Sequence, residues 1–186
     1  MKFSIKELSL LGVMTALTVV VQFTFGMIAM LFTAVPGVPN LIIGFFSGSV
    51  LYIALRKLPK TGSLTIMSSV YGLIFVLISG RTFNFIGLLI GGLAGDLFSK
   101  FGRGYNNHGL TLLSLVIFRG IASIVSSILP FIIGVTQSET ATAYVIFGII
   151  GTIIGTFFGA IFGKKIFTKL KKAGVAKEIN YGTAEI

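Results

Sequence analysis

The sequence predicts an all-α integral membrane protein, a six-transmembrane-helix bundle with both termini in the cytoplasm (N-in/C-in). Two observations carry this prediction: six apolar stretches, and basic residues placed almost entirely at alternate junctions between them. A helix needs ~20 apolar residues to cross the ~30 Å hydrocarbon core of a bilayer. The stretches cover residues 8–30, 41–55, 64–80, 83–98, 110–134 and 142–167.

The first, fifth and sixth stretches meet that length, and the second to fourth are shorter. The short stretches carry no charged residue except Asp96, which lies near one end of the fourth. Short spans can stand upright, thin the bilayer locally or be shielded by neighbouring helices. All six stretches are therefore predicted to cross the membrane.

The basic residues give the orientation. Thirteen of the fifteen Lys and Arg residues lie before the first span, between the second and third, between the fourth and fifth, or after the sixth. Six helices place all four of these segments on one side, and the positive-inside rule makes that side cytoplasmic. The two exceptions are Arg81, between the third and fourth spans, and Arg119, within the fifth.

Composition limits the possible functions. Residues 1–168 are predicted to form one transmembrane domain and residues 169–186 a polar cytoplasmic tail. The net charge of +10 belongs to loops that set topology and can meet lipid headgroups, so we expect no binding of nucleic acid. With no cysteine and one histidine, no thiolate or histidine metal cluster is expected. We also expect no cofactor and no enzymatic activity, because no nucleophile, acid–base pair or phosphate loop is visible.

Small residues recur every four positions in several spans. The sixth span carries Gly151, Gly155, Gly159 and Gly163, and the fourth carries Gly87, Gly91 and Gly95. Residues four apart share one helix face, and small-residue faces let helices approach closely in lipid. Such a face packs inside the bundle or docks another membrane protein, and for docking the sixth span is the better candidate because its glycine ridge is uninterrupted.

Two ionisable residues lie within spans. Asp96 and Arg119 belong to neighbouring antiparallel helices, and the long arginine side chain can bridge their different depths. Intramembrane charges usually face the bundle interior and pair, or they mark a functional path. We predict a structural ion pair between Asp96 and Arg119; a contact with a partner, or anion binding by Arg119, is the alternative.

A small-molecule site is predicted in the outer half of the bundle, roofed by residues 32–40 and walled by spans three to six. Aromatic walls with a few polar groups are typical of such pockets. Arg81 breaks the positive-inside pattern, and a guanidinium there suits a carboxylate or phosphate. The alternative is an ordinary interfacial rim of aromatic and polar side chains. The candidate substrate-binding residues are Gln22, Asn40, Tyr71, Arg81, Asn84, Gln137 and Glu139.

The chain resembles a known family of membrane proteins. Six spans, a small-xxx-small motif at Gly12 and Ala16, and a proline-bearing outer loop look like the substrate-binding S component of an energy-coupling factor (ECF) transporter. Residues 39–119 look most like S components of the Trep/Strep type. The cues are the LPKTG turn at 58–62, Gly80 at the end of the third span, and the GGLAGD run at 91–96. The family's motif in the first span is Ala-x-x-x-Ala, and here glycine replaces the first alanine.

The resemblance implies a subunit of an ABC importer in the bacterial plasma membrane. Such a subunit captures a vitamin or related micronutrient outside the cell and docks through Gly12 and Ala16 on a membrane scaffold (T) subunit. Two cytoplasmic ATPase subunits supply the energy. The alternatives are a stand-alone secondary transporter, for which Asp96 is the only acidic candidate, and a non-transport membrane assembly factor without an outer pocket.

Overall fold

The computed structural model describes residues 3–32, 35–80, 82–102, 104–133 and 139–174, with the backbone alone at 131 and 139–143. The described residues form six α-helices and one short 3-10 turn, Met30–Phe32. The predicted all-helical six-helix fold is confirmed. The helices are α1 Ile5–Ala29, α2 Val38–Lys57, α3 Ser63–Ser79, α4 Thr82–Phe101, α5 His108–Ile132 and α6 Glu139–Lys172.

Five of these helices are long and apolar enough to span a membrane, and α3 is apolar but has 17 residues. At 1.5 Å per residue α3 extends ~26 Å, which lies at the short limit for a span. The residue after it, Gly80, has a φ of 69°, a left-handed conformation that favours glycine and ends the helix. The end predicted for the third span is thus confirmed.

Two boundaries differ from the prediction. The segment 32–40 is predicted to be a proline-bearing outer loop, but α2 begins at Val38 and includes Pro39 and Asn40. Proline is tolerated in the first turn of a helix, where its missing N–H has no helical partner. At the other end of the chain α6 continues to Lys172, so the first residues of the predicted tail are helical. Residues 175–186 lie outside the described part.

The helices form a closed ring. Around it, α1 packs on α2, α2 on α6, α6 on α5, α5 on α4, α4 on α3, and α3 again on α1. A lighter contact joins α2 to α5 across the centre. Side chains from α1, α2, α3 and α5 can therefore meet inside the bundle.

The glycine ridge of α6 packs inside this ring. The four glycines face the backbone carbonyls of Gly37, Leu41, Phe45 and Ser49 in order, so α2 and α6 run in the same direction. A Cβ at any of them would come closer than 3.0 Å to a carbonyl oxygen of α2 or of the residue before it. The packing interpretation of this ridge is confirmed, and its interpretation as a docking face is wrong.

Gly87, Gly91 and Gly95 of α4 pack in the same way against α5. A Cβ at any of them would lie within 3.2 Å of backbone and side-chain atoms of α5. Helices α4 and α5 run antiparallel, because later positions on α4 face earlier positions on α5, from Ala122 to Ser114. The two most glycine-rich faces are therefore both used to close the bundle.

Candidate functional site

Charged side chains converge at one end of the bundle, here called the basic end. It contains the start of α1, the α2–α3 turn, the α4–α5 connection and the end of α6. Lys60 Nζ lies 2.7 Å from the Glu7 carboxylate, and Arg56 Nη1 donates to the carbonyls of Tyr105 and Asn106 at 2.8 and 2.6 Å. These contacts join α1 to the α2–α3 turn, and α2 to the α4–α5 connection.

Asp96 belongs to this end. Its carboxylate accepts from the backbone N–H and the hydroxyl of Thr65, at 2.7 and 2.6 Å, and from the Tyr105 hydroxyl at 2.6 Å. Burial, and then the Asp96 carboxylate, raise the pKa of the Tyr105 hydroxyl well above its ordinary value. Asp96 therefore fastens α4 to the start of α3 and to the α4–α5 connection.

A second polar group lies deeper, at mid-height in the bundle. Arg119 of α5 is 7 % exposed, and its Nη2 donates to Gln22 Oε1 of α1 at 3.2 Å and to Ser47 Oγ of α2 at 2.8 Å. The Tyr71 hydroxyl of α3 also interacts with Gln22 and Arg119. We call Gln22, Ser47, Tyr71 and Arg119 the arginine cluster.

The predicted ion pair between Asp96 and Arg119 is wrong. No salt bridge joins them within the described part of the chain, and each has other partners. The reason is depth. Gly91 packs on Phe118, the neighbour of Arg119, and Asp96 lies a further ~7.5 Å along the helix axis toward the basic end.

The charge of Arg119 has no described counter-charge. Its three partners are neutral, and its Nε has no hydrogen-bond partner among the described residues. The carboxylate of Glu7 is held by Ser4 and Lys60 at the basic end. Buried cations are normally paired with an anion, but the described partners of Arg119 are all neutral.

A cavity of about 10 Å³ adjoins the cluster, room for about one water molecule. Its hydroxyl groups donate to backbone carbonyls of their own helices: Thr15 to Leu11, Thr18 to Met14, and Ser68 to Thr65. These hydroxyls offer lone pairs to the cavity, and Arg119 is its cationic donor. The lining residues are Thr15, Thr18, Leu51, Met67, Ser68, Tyr71, Phe118 and Arg119.

Aromatic rings lie next to Tyr71 of the cluster, on the side away from the basic end. The ring of Phe75 lies 6.1 Å from that of Phe23 and 6.1 Å from that of Tyr71. Between α1 and α2 the rings of Phe25 and Phe46 are stacked, with their centroids 3.5 Å apart. We call Phe23, Phe25, Phe46 and Phe75 the aromatic layer. A cationic group beneath flat apolar rings suits a molecule that has a ring and an anionic group.

The structure brings together two of the seven predicted substrate-binding residues, Gln22 and Tyr71. Asn40 is exposed on α2, where its amide faces Gly148 of α6, and Asn84 is half-buried in the first turn of α4. Arg81 and Gln137 lie outside the described residues. Glu139 is the first residue of α6, and its side chain is likewise outside the description.

Sequence reasoning missed Ser47, Thr15, Thr18 and Ser68. Hydroxyl side chains in apolar helices usually bond to a carbonyl of the preceding turn, as Thr15, Thr18 and Ser68 do. Ser47 also bonds to Ile43 O, so no spacing distinguishes it. The available signal was Arg119 itself, an arginine placed within a span.

The Gly12 and Ala16 face differs from the other small-residue faces. Both residues are exposed, and nothing lies within 4 Å of a Cβ built on Gly12. Of the 18 most apolar consecutive residues of α1, 17 % are buried, compared with 33–44 % in the other four candidate spans. This face is therefore open on the outside of the bundle.

The fold is that of a six-helix membrane protein. The structure is similar to a solved one titled "Crystal structure of an S-component of ECF transporter", with a TM-score of 0.60 and 17 % identity over 94 % of this chain and 89 % of that one. At this identity the likeness establishes the fold. Residues 5–144 match the family model "Hypothetical bacterial integral membrane protein (Trep_Strep)".

The chain belongs to the Trep_Strep family and is a multi-pass integral membrane protein. The predicted resemblance to this family and to the S-component fold is confirmed. No curated protein matches the sequence.

Proposed function

We propose that this protein is the substrate-capture S component of an ECF-type ABC importer for a vitamin or related micronutrient in the bacterial plasma membrane. The observation that carries the proposal is a contrast between small-residue faces on a bundle with the S-component fold. The ridges of α4 and α6 are packed inside, whereas Gly12 and Ala16 of α1 face outward. An open face of this kind suits close packing against a helix of another membrane protein.

In this proposal the α1 face docks on a membrane scaffold (T) subunit, and two cytoplasmic ATPase subunits supply the energy. The basic end faces the cytoplasm, as the positive-inside rule requires. The substrate enters from the opposite end and reaches the arginine cluster. Gln22 and Tyr71 contact it there, and Asn40, Arg81, Asn84, Gln137 and Glu139 are proposed to act nearer the entrance.

A stand-alone secondary transporter is less well supported. An ion-coupled carrier of that kind usually uses an acidic residue near the middle of the membrane. Asp96 is held by Thr65 and Tyr105 at the basic end, where it serves to join helices.

The test is co-expression of the full chain with the scaffold and ATPase subunits of a bacterial ECF transporter. Ala16→Leu adds bulk to the open face, so we expect it to abolish co-purification with the scaffold while the thermal stability of the isolated protein is kept. The matched control is Val70→Phe, which adds bulk to a residue 39 % exposed on α3 and should leave the complex intact.

Two results would contradict the proposal. One is a complex that forms equally well with Ala16→Leu. The other is loss of the isolated fold in that variant, which would mean that the α1 face packs within the bundle.

A further inference from the structure

Arg119 is a buried cation whose partners are all neutral. Removing a guanidinium from water carries a large desolvation cost, and neutral hydrogen bonds offset only part of it. Gln22, Ser47 and Tyr71 supply oxygens but no negative charge. The described side chains of the bundle therefore offset only part of the desolvation cost of the Arg119 charge.

The acidic residues of the membrane domain lie elsewhere. Glu7 and Asp96 are engaged at the basic end. Ile153 of α6 lies beside Gly120, the neighbour of Arg119, and Glu139 begins that helix ~21 Å away along the axis. No described carboxylate pairs with Arg119, so a carboxylate or phosphate on a bound molecule is a suitable counter-charge.

The Arg119 guanidinium has one N–H donor without a described partner. Nη2 is used by Gln22 and Ser47, whereas Nε has no described partner. Arginine presents its N–H groups as a planar fork that matches two oxygens of a carboxylate or phosphate. Near it, the ring of Phe75 in the aromatic layer lies 6.1 Å from the ring of Phe23 and 6.1 Å from the ring of Tyr71.

We infer that Arg119 is the anchor for an anionic group, a carboxylate or a phosphate, on a ring-bearing molecule that enters the bundle. The inference rests on the proposed function, because it names the chemical class of the captured substrate. The cavity of about 10 Å³ is too small for such a molecule, so binding requires the aromatic layer to move apart.

A stability measurement separates this role from a structural one. Arg119→Met removes the charge and keeps an unbranched chain, and Ser47 keeps its hydrogen bond to Ile43 O. With both proteins freed of bound ligand and held in nonionic detergent, we expect the melting temperature of the variant to equal or exceed that of the wild type. The matched control is Arg56→Met, since Arg56 is also buried but donates to two carbonyls at 2.8 and 2.6 Å; its melting temperature should fall by several degrees.

A binding measurement tests the charge preference directly. The probes are benzoate and phenyl phosphate, with benzamide as the neutral molecule of the same shape and sodium chloride at equal ionic strength. A ligand that binds only the folded protein raises its melting temperature. We expect the two anions, and not benzamide, to raise the melting temperature of the wild type, and Arg119→Met to lose that difference.

Three results would overturn the inference: a fall in melting temperature for Arg119→Met as large as for Arg56→Met, equal responses of the wild type to benzoate and benzamide, or an anion response that survives in Arg119→Met. Failure of the S-component proposal is distinguishable from these. It would appear as an intact complex in Ala16→Leu while the anion response of the wild type remained.

Discussion

Replacing Gly159 by alanine tests the close packing of α2 and α6. A Cβ at this position would overlap the carbonyl oxygen of Phe45 and come within 3.0 Å of its Cα and carbonyl carbon. These are backbone atoms, so no side chain can rotate away. The two helices must separate, and the packing of the neighbouring glycines is lost with them.

The magnitude follows from two opposing effects. Overpacking costs about 1–3 kcal/mol, and a contact with rigid backbone belongs at the upper end of that range. Alanine in place of glycine within a helix returns about 0.5–1 kcal/mol. The net loss is then about 2 kcal/mol, which lowers the melting temperature of a chain of this size by roughly 4–8 °C.

The assay is thermal unfolding of the purified protein in nonionic detergent, with Gly12→Ala as the matched control. Nothing lies within 4 Å of a Cβ at Gly12, so that variant gains helix propensity without a clash and should melt at or above the wild-type temperature. If Gly159→Ala proves as stable as Gly12→Ala, the tight α2–α6 packing described above is incorrect.

Three further predictions follow from the basic end and the cluster. The effects of Asp96→Asn and Arg119→Met on the free energy of unfolding should add within about 0.5 kcal/mol in a double-mutant cycle, because the two side chains share no partner. A larger coupling energy would indicate that the two residues form an ion pair. Tyr105→Phe should cost about 1.5–3 kcal/mol, the value of a hydrogen bond to a charged group. Folding raises the pKa of Tyr105, so the contribution of its hydroxyl to stability is complete below pH ~10 and declines at higher pH. The free energy of unfolding of Tyr105→Phe should lack this alkaline decline. A pH profile equal to that of the wild type would contradict the prediction. The chain has no native cysteine, so single cysteines can be labelled in whole cells with a thiol reagent that does not cross the membrane. Lys60→Cys should be labelled only after permeabilisation, and Ser138→Cys without it. The reverse pattern would mean that the orientation in the membrane is opposite to the predicted one.

The helical spans could be predicted from sequence because they depend on local apolar length and on charge at the junctions. The ends were less certain. Pro39 indicated a break in the helix, yet it lies in the first turn of α2, where proline loses no hydrogen bond. A periodic pattern identifies a helix but does not fix its first residue.

The partners of the buried charges could not be predicted, because they depend on which helices are neighbours in the ring. Arg119 contacts Gln22 and Ser47, which are 97 and 72 positions away in the chain. Nearness in sequence favoured Asp96 instead. The interpretation of the α6 glycine ridge as a docking face was wrong for a related reason. A row of glycines has the same sequence pattern whether its partner is α2 or another protein. Gln22 is half-buried and accepts a hydrogen bond from another helix, as expected for a polar residue deep within an apolar span.

The most direct test of the account is mass spectrometry of small molecules released from the purified full chain. We predict one anionic, ring-bearing molecule near one copy per wild-type protein, retained by Ala16→Leu and absent from Arg119→Met. A wild-type protein that releases no stoichiometric small molecule, or a neutral or cationic one that Arg119→Met retains equally, would contradict the claim that this protein captures an anionic substrate at Arg119.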